Sequence, residues 1–172
     1  PEFFSATYGA GGSTRDKTLA TVMAIAKAGF GAAPHLSCVG STRASIEEIL
    51  ATYRQQNIRR IVALRGDLPS GTATAGEFRY AAELVAFIRE TQGADWHVEI
   101  AAYPVSHPGE RYAARDLQNY AEKVKAGASS AITQFFFNPD AYFHFVDEAR
   151  KLGADVPVVP GIMPITSSTQ LM

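Results

Sequence analysis

Residues 61–69 read IVALRGDLP. Four apolar residues, Ile61 to Leu64, stand between charges and end abruptly in Arg65-Gly66-Asp67. A short apolar run without alternation suits a strand covered on both faces, as in a parallel sheet. Gly66 and Pro69 then stop the strand and turn the chain. In α/β proteins the chemistry gathers at the carboxyl ends of such strands. An isolated strand followed by a polar turn is common and carries no function by itself, so the neighbouring segments decide what this one means.

Working outward, the same pattern recurs. Upstream, residues 3–8 (FFSATY) predict a strand that runs into the glycine-rich loop GAGGS at 9–13. Residues 14–27 carry apolar groups at helical spacing, with Gly29 as a stop. Residues 32–38 (AAPHLSC) predict a strand with Pro34 at an early or irregular position. Ser41 is placed to cap a helix over 43–56, whose stripe is Ile46, Ile49, Leu50 and Tyr53. Downstream, residues 69–76 (PSGTATAG) form a loop, and 78–91 predict a helix. Strand 98–103 (VEIAAY), helix 111–126, strand 131–137 (AITQFFF), a helix from Pro139 to about Leu152 and strand 156–162 (VPVVPGI) follow. ITSSTQ at 165–170 reads as the start of another helix.

These are six strand–helix units without a composition break, so residues 1–172 form a single domain of the α/β class. A complete (β/α)8 barrel takes about 250 residues. Two architectures fit: an open doubly wound sheet, or a (β/α)8 TIM barrel present as about six of its eight units. The chain starts inside a strand and stops inside a helix, which favours a barrel lacking its first strand and its C-terminal units.

Composition narrows the function classes. The chain is 47% hydrophobic with a formal net charge of -1, which argues against a partner held by a strong basic patch, such as nucleic acid. No apolar run approaches the roughly 20 residues that cross a bilayer, and the start lacks the basic and apolar regions of a signal peptide. The lone Cys38 excludes an intrachain disulfide and a cysteine metal cluster, in keeping with a reducing, cytoplasmic setting.

Polar groups recur at the predicted strand ends: Thr7-Tyr8, His35 with Ser37, Arg65-Gly66-Asp67, Tyr103 with His107, and Gln134. Singly each is unremarkable, and a histidine in an apolar strand is usually a core residue. Converging on one face of a barrel, they form a candidate site. Gln134, read as a buried amide, suits a planar heteroaromatic ligand, with Phe135 or Phe137 against its ring. Asp116, Asn119 and Lys123 share one helix face at i, i+3 and i+7, either as a solvated stripe or as a set that reaches ribose and phosphate. GAGGS matches neither GxGxxG nor the phosphate loop that ends in Gly-Lys-Ser/Thr. His97, His107 and His144 do not form a metal-ligand spacing. No lysine ends a strand, so a Schiff-base aldolase lacks its nucleophile.

In this order, TYGAGG (7–12), AAPHLSC (32–38), RRIVALRGDLP (59–69), IAAYPVSHP (100–108), KAGASSAITQFFFN (125–138) and VPGIMPIT (159–166) resemble methylenetetrahydrofolate reductase of the bacterial type. The resemblance extends over essentially the whole chain. It implies a (β/α)8 barrel that carries FAD and passes a hydride from NADH or NADPH to methylenetetrahydrofolate, giving methyltetrahydrofolate for methionine synthesis. It also implies a homo-oligomer, and the bacterial type leans to NADH. Matched by motif, Thr7, His35, Leu64, Arg65, Gly66, Asp67, Tyr80, Ala81, Ala101, Tyr103, His107, Asp116, Asn119 and Lys123 fall at FAD-holding positions. Asp67 falls where a carboxylate lies near the flavin ring and the folate. Gln134, Phe135 and Gln170 fall at positions that contact the folate, the first two also serving the nicotinamide.

Two departures stand out. The family's acid is a Glu on the first barrel strand; here TYG places Glu2-Phe3-Phe4 on the second, so Glu2 does not inherit that role. Glu122 stands where some members have a basic residue before the matching lysine. A competing expectation is a non-catalytic FAD- or folate-binding barrel fragment, or an assembly partner. A flavin-free barrel enzyme acting on a phosphorylated metabolite is a third.

Overall fold

A computed structural model describes residues 1–7, 15–66, 76–105, 113–164 and 166. Six strands, β1 (Phe3–Ala6), β2 (Gly31–Ser37), β3 (Arg60–Leu64), β4 (His97–Ala102), β5 (Ser130–Thr133) and β6 (Val158–Val159), pair in the order 1-2-3-4-5-6. Every pairing is parallel. Among the described residues, five α-helices alternate with them: α1 (Arg15–Lys27), α2 (Arg43–Gln55), α3 (Ala81–Gln92), α4 (Ala113–Lys125) and α5 (Pro139–Lys151).

Strand order decides between the two architectures. A doubly wound sheet reverses direction once, which puts helices on both faces. Here every crossover advances the chain one strand the same way. Right-handed crossovers then place all the helices on one side. That is the winding of a barrel, and the sheet is six strands of a partial (β/α)8 barrel. Among the described residues, no helix is long and apolar enough to cross a membrane.

Strand alternation divides the side chains between two layers. Leu36, Ile61, Ala63, Val98, Ile100, Ala102 and Ala131 face the helices. They meet Ile46, Leu50 and Tyr53 of α2, Leu84, Val85 and Ile88 of α3, Tyr120 of α4, and Phe145 and Ala149 of α5. Each large side chain buried there stabilises the fold by about 1.5–3 kcal/mol. The opposite, barrel-facing side carries a polar cluster among apolar neighbours. The register aligns His35, Val62, Glu99 and Ser130 in one row, with Arg60 and His97 in the row nearer the strand starts. Glu99 is 3% exposed and accepts from Arg60 Nη1 at 2.7 Å and from Ser130 Oγ at 2.5 Å. His97 Nε2 lies 2.8 Å from Ser130 Oγ and 3.1 Å from Glu99 Oε1. Because the Ser130 hydroxyl donates to Glu99, His97 meets this pair as a donor through Nε2–H. The Arg60 guanidinium also lies over the Phe3 ring at 4.3 Å. Burial lowers the His97 pKa, against the raising field of Glu99.

Several expected boundaries move, each for a local reason. Thr42, not Ser41, caps α2: its side chain accepts from Ser45 N–H while Ser45 Oγ accepts from Thr42 N–H. Ser41 is buried, and its carbonyl accepts from Glu77 N–H. Helix α3 starts at Ala81 because Tyr80 is extended (φ -134°, ψ 152°). Phe78, expected within that helix, is 1% exposed ahead of it and meets Phe87 edge-on at 5.5 Å. Strand β5 ends at Thr133, so the phenylalanine run lies beyond it. Phe136 stacks on Tyr142 and Phe135 meets Phe137 edge-on. Pro157 and Pro160 flank β6 and hold it to two residues, since proline offers no donor to a ladder. Strand β1 ends at Ala6 rather than at residue 8. Pro34 sits where the β2–β1 ladder ends and the β2–β3 ladder begins.

Candidate functional site

The IVAL strand is β3, and its end is clamped by β2. The Arg65 carbonyl accepts from Ser37 Oγ at 2.9 Å and from Val39 N–H at 2.9 Å, with the Cys38 thiol at 3.7 Å. Gly66 follows with φ +81°, and a Cβ there would lie 1.8 Å from Ser37 Oγ. Only glycine satisfies both conditions. Cys38 is fully buried; burial pushes its thiol up to about 11, so it acts as a small apolar residue. Gly76 (φ +70°) lies against the Ser41 backbone, and Glu77 accepts from Arg43 N–H at 2.8 Å. These contacts bring residues 76–80 back beside β3 and set Tyr80 at its end.

A cavity of about 410 Å³ opens over the ends of β3 and β4 and continues between α3 and α4. Ala63, Leu64, Arg65 and Gly66 form one wall, Tyr80, Ala81 and Ala82 a second, and Ala101 and Tyr103 a third. Asp116, Asn119, Glu122 and Lys123 of α4 close it. Alanines leave room beside the backbone, two tyrosines line it, and one helix supplies the acids, the amide and a lysine.

Of the two readings left open for α4, Lys123 excludes a wholly solvated stripe. It is 9% exposed and its ammonium donates to the Ala101 carbonyl at 2.5 Å. Burial pulls its pKa from 10.5 to about 8, against the raising field of Asp116. The helix has packed an ionisable group inward, where it faces the cavity. The lining as a whole holds two cations, Arg65 and Lys123, and two acids, Asp116 and Glu122.

The other expected site residues lie elsewhere or are not described. Thr7 is exposed past β1, its carbonyl accepting from Thr18 Oγ1 at 3.1 Å. His35 is half-buried on the barrel-facing row with Glu99, outside the cavity lining, and burial lowers its pKa, keeping it neutral near pH 7. Gln134 is exposed, which corrects its reading as a buried amide; its N–H makes the last bond of its segment, to the Ala102 carbonyl at 2.8 Å. Phe135 beside it is half-buried. Asp67, His107 and Gln170, like the GAGGS loop, lie outside the described residues. The described residues contain no group of three or more His, Cys, Asp or Glu able to hold a metal ion. Ala63 and Ala82 were missed as lining residues; their small size at a strand end and in a first helical turn is the only signal they carry.

The family model for methylenetetrahydrofolate reductase matches residues 1–172. The chain belongs to the methylenetetrahydrofolate reductase family. It is 44% identical over 171 residues to the 5,10-methylenetetrahydrofolate reductase of Salmonella typhimurium and 43% identical to that of Escherichia coli, in each case across 99% of this chain and 56% of the relative. A rice protein named probable methylenetetrahydrofolate reductase (NADH) is 36% identical across 97% of this chain and 30% of its own length. The chain therefore spans little more than half the length of its bacterial methylenetetrahydrofolate reductase relatives.

Proposed function

We propose that this chain supplies the flavin-binding part of a methylenetetrahydrofolate reductase, which reduces methylenetetrahydrofolate to methyltetrahydrofolate with FAD as cofactor and NADH or NADPH as hydride source. The observation that carries the reading is the cavity at the β3 and β4 ends, with Lys123 buried against it and Arg65 in its wall. The donor set fits a flavin nucleotide. Two cations suit a diphosphate, Asp116 and Asn119 suit sugar hydroxyls, and the alanines admit a long ligand close to the backbone. When bound, FAD supplies the two-electron hydride chemistry that side chains lack.

The chain's own residues then hold and orient. Leu64, Arg65, Gly66, Tyr80, Ala81, Ala101, Tyr103, Asp116, Asn119 and Lys123 hold the cofactor, and Thr7, His35, Asp67 and His107, matched by motif, are assigned to the same task. The Asp67 carboxylate stabilises a cationic folate as the substrate opens. Gln134 donates and accepts at a planar ring, Phe135 packs against it, and Gln170 adds a second amide. The whole protein works in the cytoplasm as a homo-oligomer, and its product feeds methionine synthesis.

The test is spectroscopic. Purified protein given FAD should become yellow, bleach anaerobically on addition of NADH and recover colour with methylenetetrahydrofolate. Bleaching without recovery would leave a flavin-binding module with no folate reaction. A protein that never takes up FAD refutes the proposal.

A further inference from the structure

The charge balance of the cavity carries an inference about Glu122. It rests on the flavin reading above and concerns what that pocket selects. Lys123 faces the cavity from within, donating to Ala101, whereas Glu122, one residue earlier on α4, is exposed at the rim. Asp116 lines the same side from the first turn of the helix. Two acids therefore offset the two cations, Arg65 and Lys123. A nucleotide diphosphate brings about two negative charges, so a pocket built only for anion affinity would not place a carboxylate beside its buried lysine. The Asp116 carboxylate raises the Lys123 pKa, in part opposing the larger lowering by burial. Glu122 lines the rim and is exposed, so its charge acts on whatever enters.

We infer that Glu122 is a specificity-determining residue that lowers the pocket's affinity for the anionic, phosphate-bearing part of the cofactor while leaving its affinity for the uncharged flavin ring unchanged. A rim carboxylate acts on phosphates through solvent, so the effect is modest and is screened by salt.

The experiment measures binding of FAD and of riboflavin, which has no phosphate, by flavin fluorescence in wild type, Glu122→Gln and Glu122→Lys. Each is measured at low salt and near 1 M salt. FAD should bind about threefold tighter to Glu122→Gln and about tenfold tighter to Glu122→Lys at low salt. Near 1 M salt, where screening reaches about 3 Å, the three proteins should converge. Riboflavin affinity should be the same in all three. Unchanged FAD affinity in both variants overturns the inference, and so does an equal change for FAD and riboflavin, which reports reshaping of the pocket. If wild type binds neither compound, the flavin reading itself fails.

Discussion

Replacing Lys123 with methionine should make the protein more stable at neutral pH and bind its cofactor less well. Methionine keeps an unbranched side chain of similar length and removes the ionisable group. In the folded protein burial lowers the Lys123 pKa to about 8, while the unfolded chain keeps the ordinary 10.5. Between these values the unfolded state holds the proton and the folded state has released it, so stability rises with pH across this window. Below pH 8 both states are protonated, and the folded state carries the full penalty of a buried ammonium, about 3 kcal/mol. Methionine removes that penalty but loses the bond to the Ala101 carbonyl, worth about 1 kcal/mol. The variant should therefore gain about 2 kcal/mol at pH 7, which in a chain of this size raises Tm by about 4–8 °C. Urea unfolding of both proteins at pH 7, 8.5 and 10 is the assay. The advantage of the variant should shrink steadily from pH 8 upward and vanish or reverse by pH 10. The buried Cys38 and Tyr120, whose pKa values burial raises to about 11 and 12, titrate alike in both proteins and cancel in the difference. Two stability profiles that run parallel from pH 7 to pH 10 would refute the assignment of the buried charge. Equal FAD affinity in the two proteins would instead remove Lys123 from the cofactor site.

Three further outcomes follow from other parts of the molecule. Gly66→Ala should destabilise by about 2–3 kcal/mol in urea melts, and Ser37→Ala should restore only part of this, because relieving the clash leaves the positive φ. Glu99→Gln should cost about 2 kcal/mol by stranding Arg60, whereas the double change Arg60→Met with Glu99→Leu should cost less; additive losses would show that the pair is not coupled. Asp67→Asn in the complete protein should raise the flavin reduction potential and slow folate reduction, and unaffected folate turnover in rapid-mixing experiments would remove Asp67 from the chemistry.

Much of the fold is legible because winding and periodicity are local properties. Apolar runs of four to six residues, each followed by a helical stripe, already specify parallel strands and crossovers, and α5 starts and stops at its expected Pro139 and near Gly153. Boundaries shift where a side chain has a tertiary partner that the local pattern cannot announce. Phe78 continues the apolar spacing of α3, yet it fills a gap against Phe87 under Arg43 and leaves the helix to begin three residues later. In the phenylalanine run, β propensity argues for a longer strand. Pairing between the rings and with Tyr142 wins, because the ladder makes its last bond at Gln134.

The site divides along the same line. Arg65 and Gly66 are visible in the sequence because a strand end, a charge and a glycine sit together. The burial of Lys123 is not, because i, i+3 and i+7 spacing shows that residues share a face and says nothing of where that face points. Only the packing of Leu117, Tyr120, Ala121 and Val124 against the core rotates α4 so that the polar edge meets the end of β4. Glu99 is the same case on the barrel side. Its neutralising partners lie on β3 and β5, 39 and 31 residues away in the chain, and a strand reading alone sees only a charge among apolar residues. Glu99 and Lys123, the buried acid and the buried base among the described residues, therefore serve opposite ends. Glu99 is matched by an arginine, a serine and a histidine near the strand starts, where barrels concentrate stability. Lys123 is matched mainly by a carbonyl, at the end where barrels bind. A charge left that short of partners is costly in the empty protein, and an arriving anion would lower that cost, which is why its pH profile is the sharper test of the pocket.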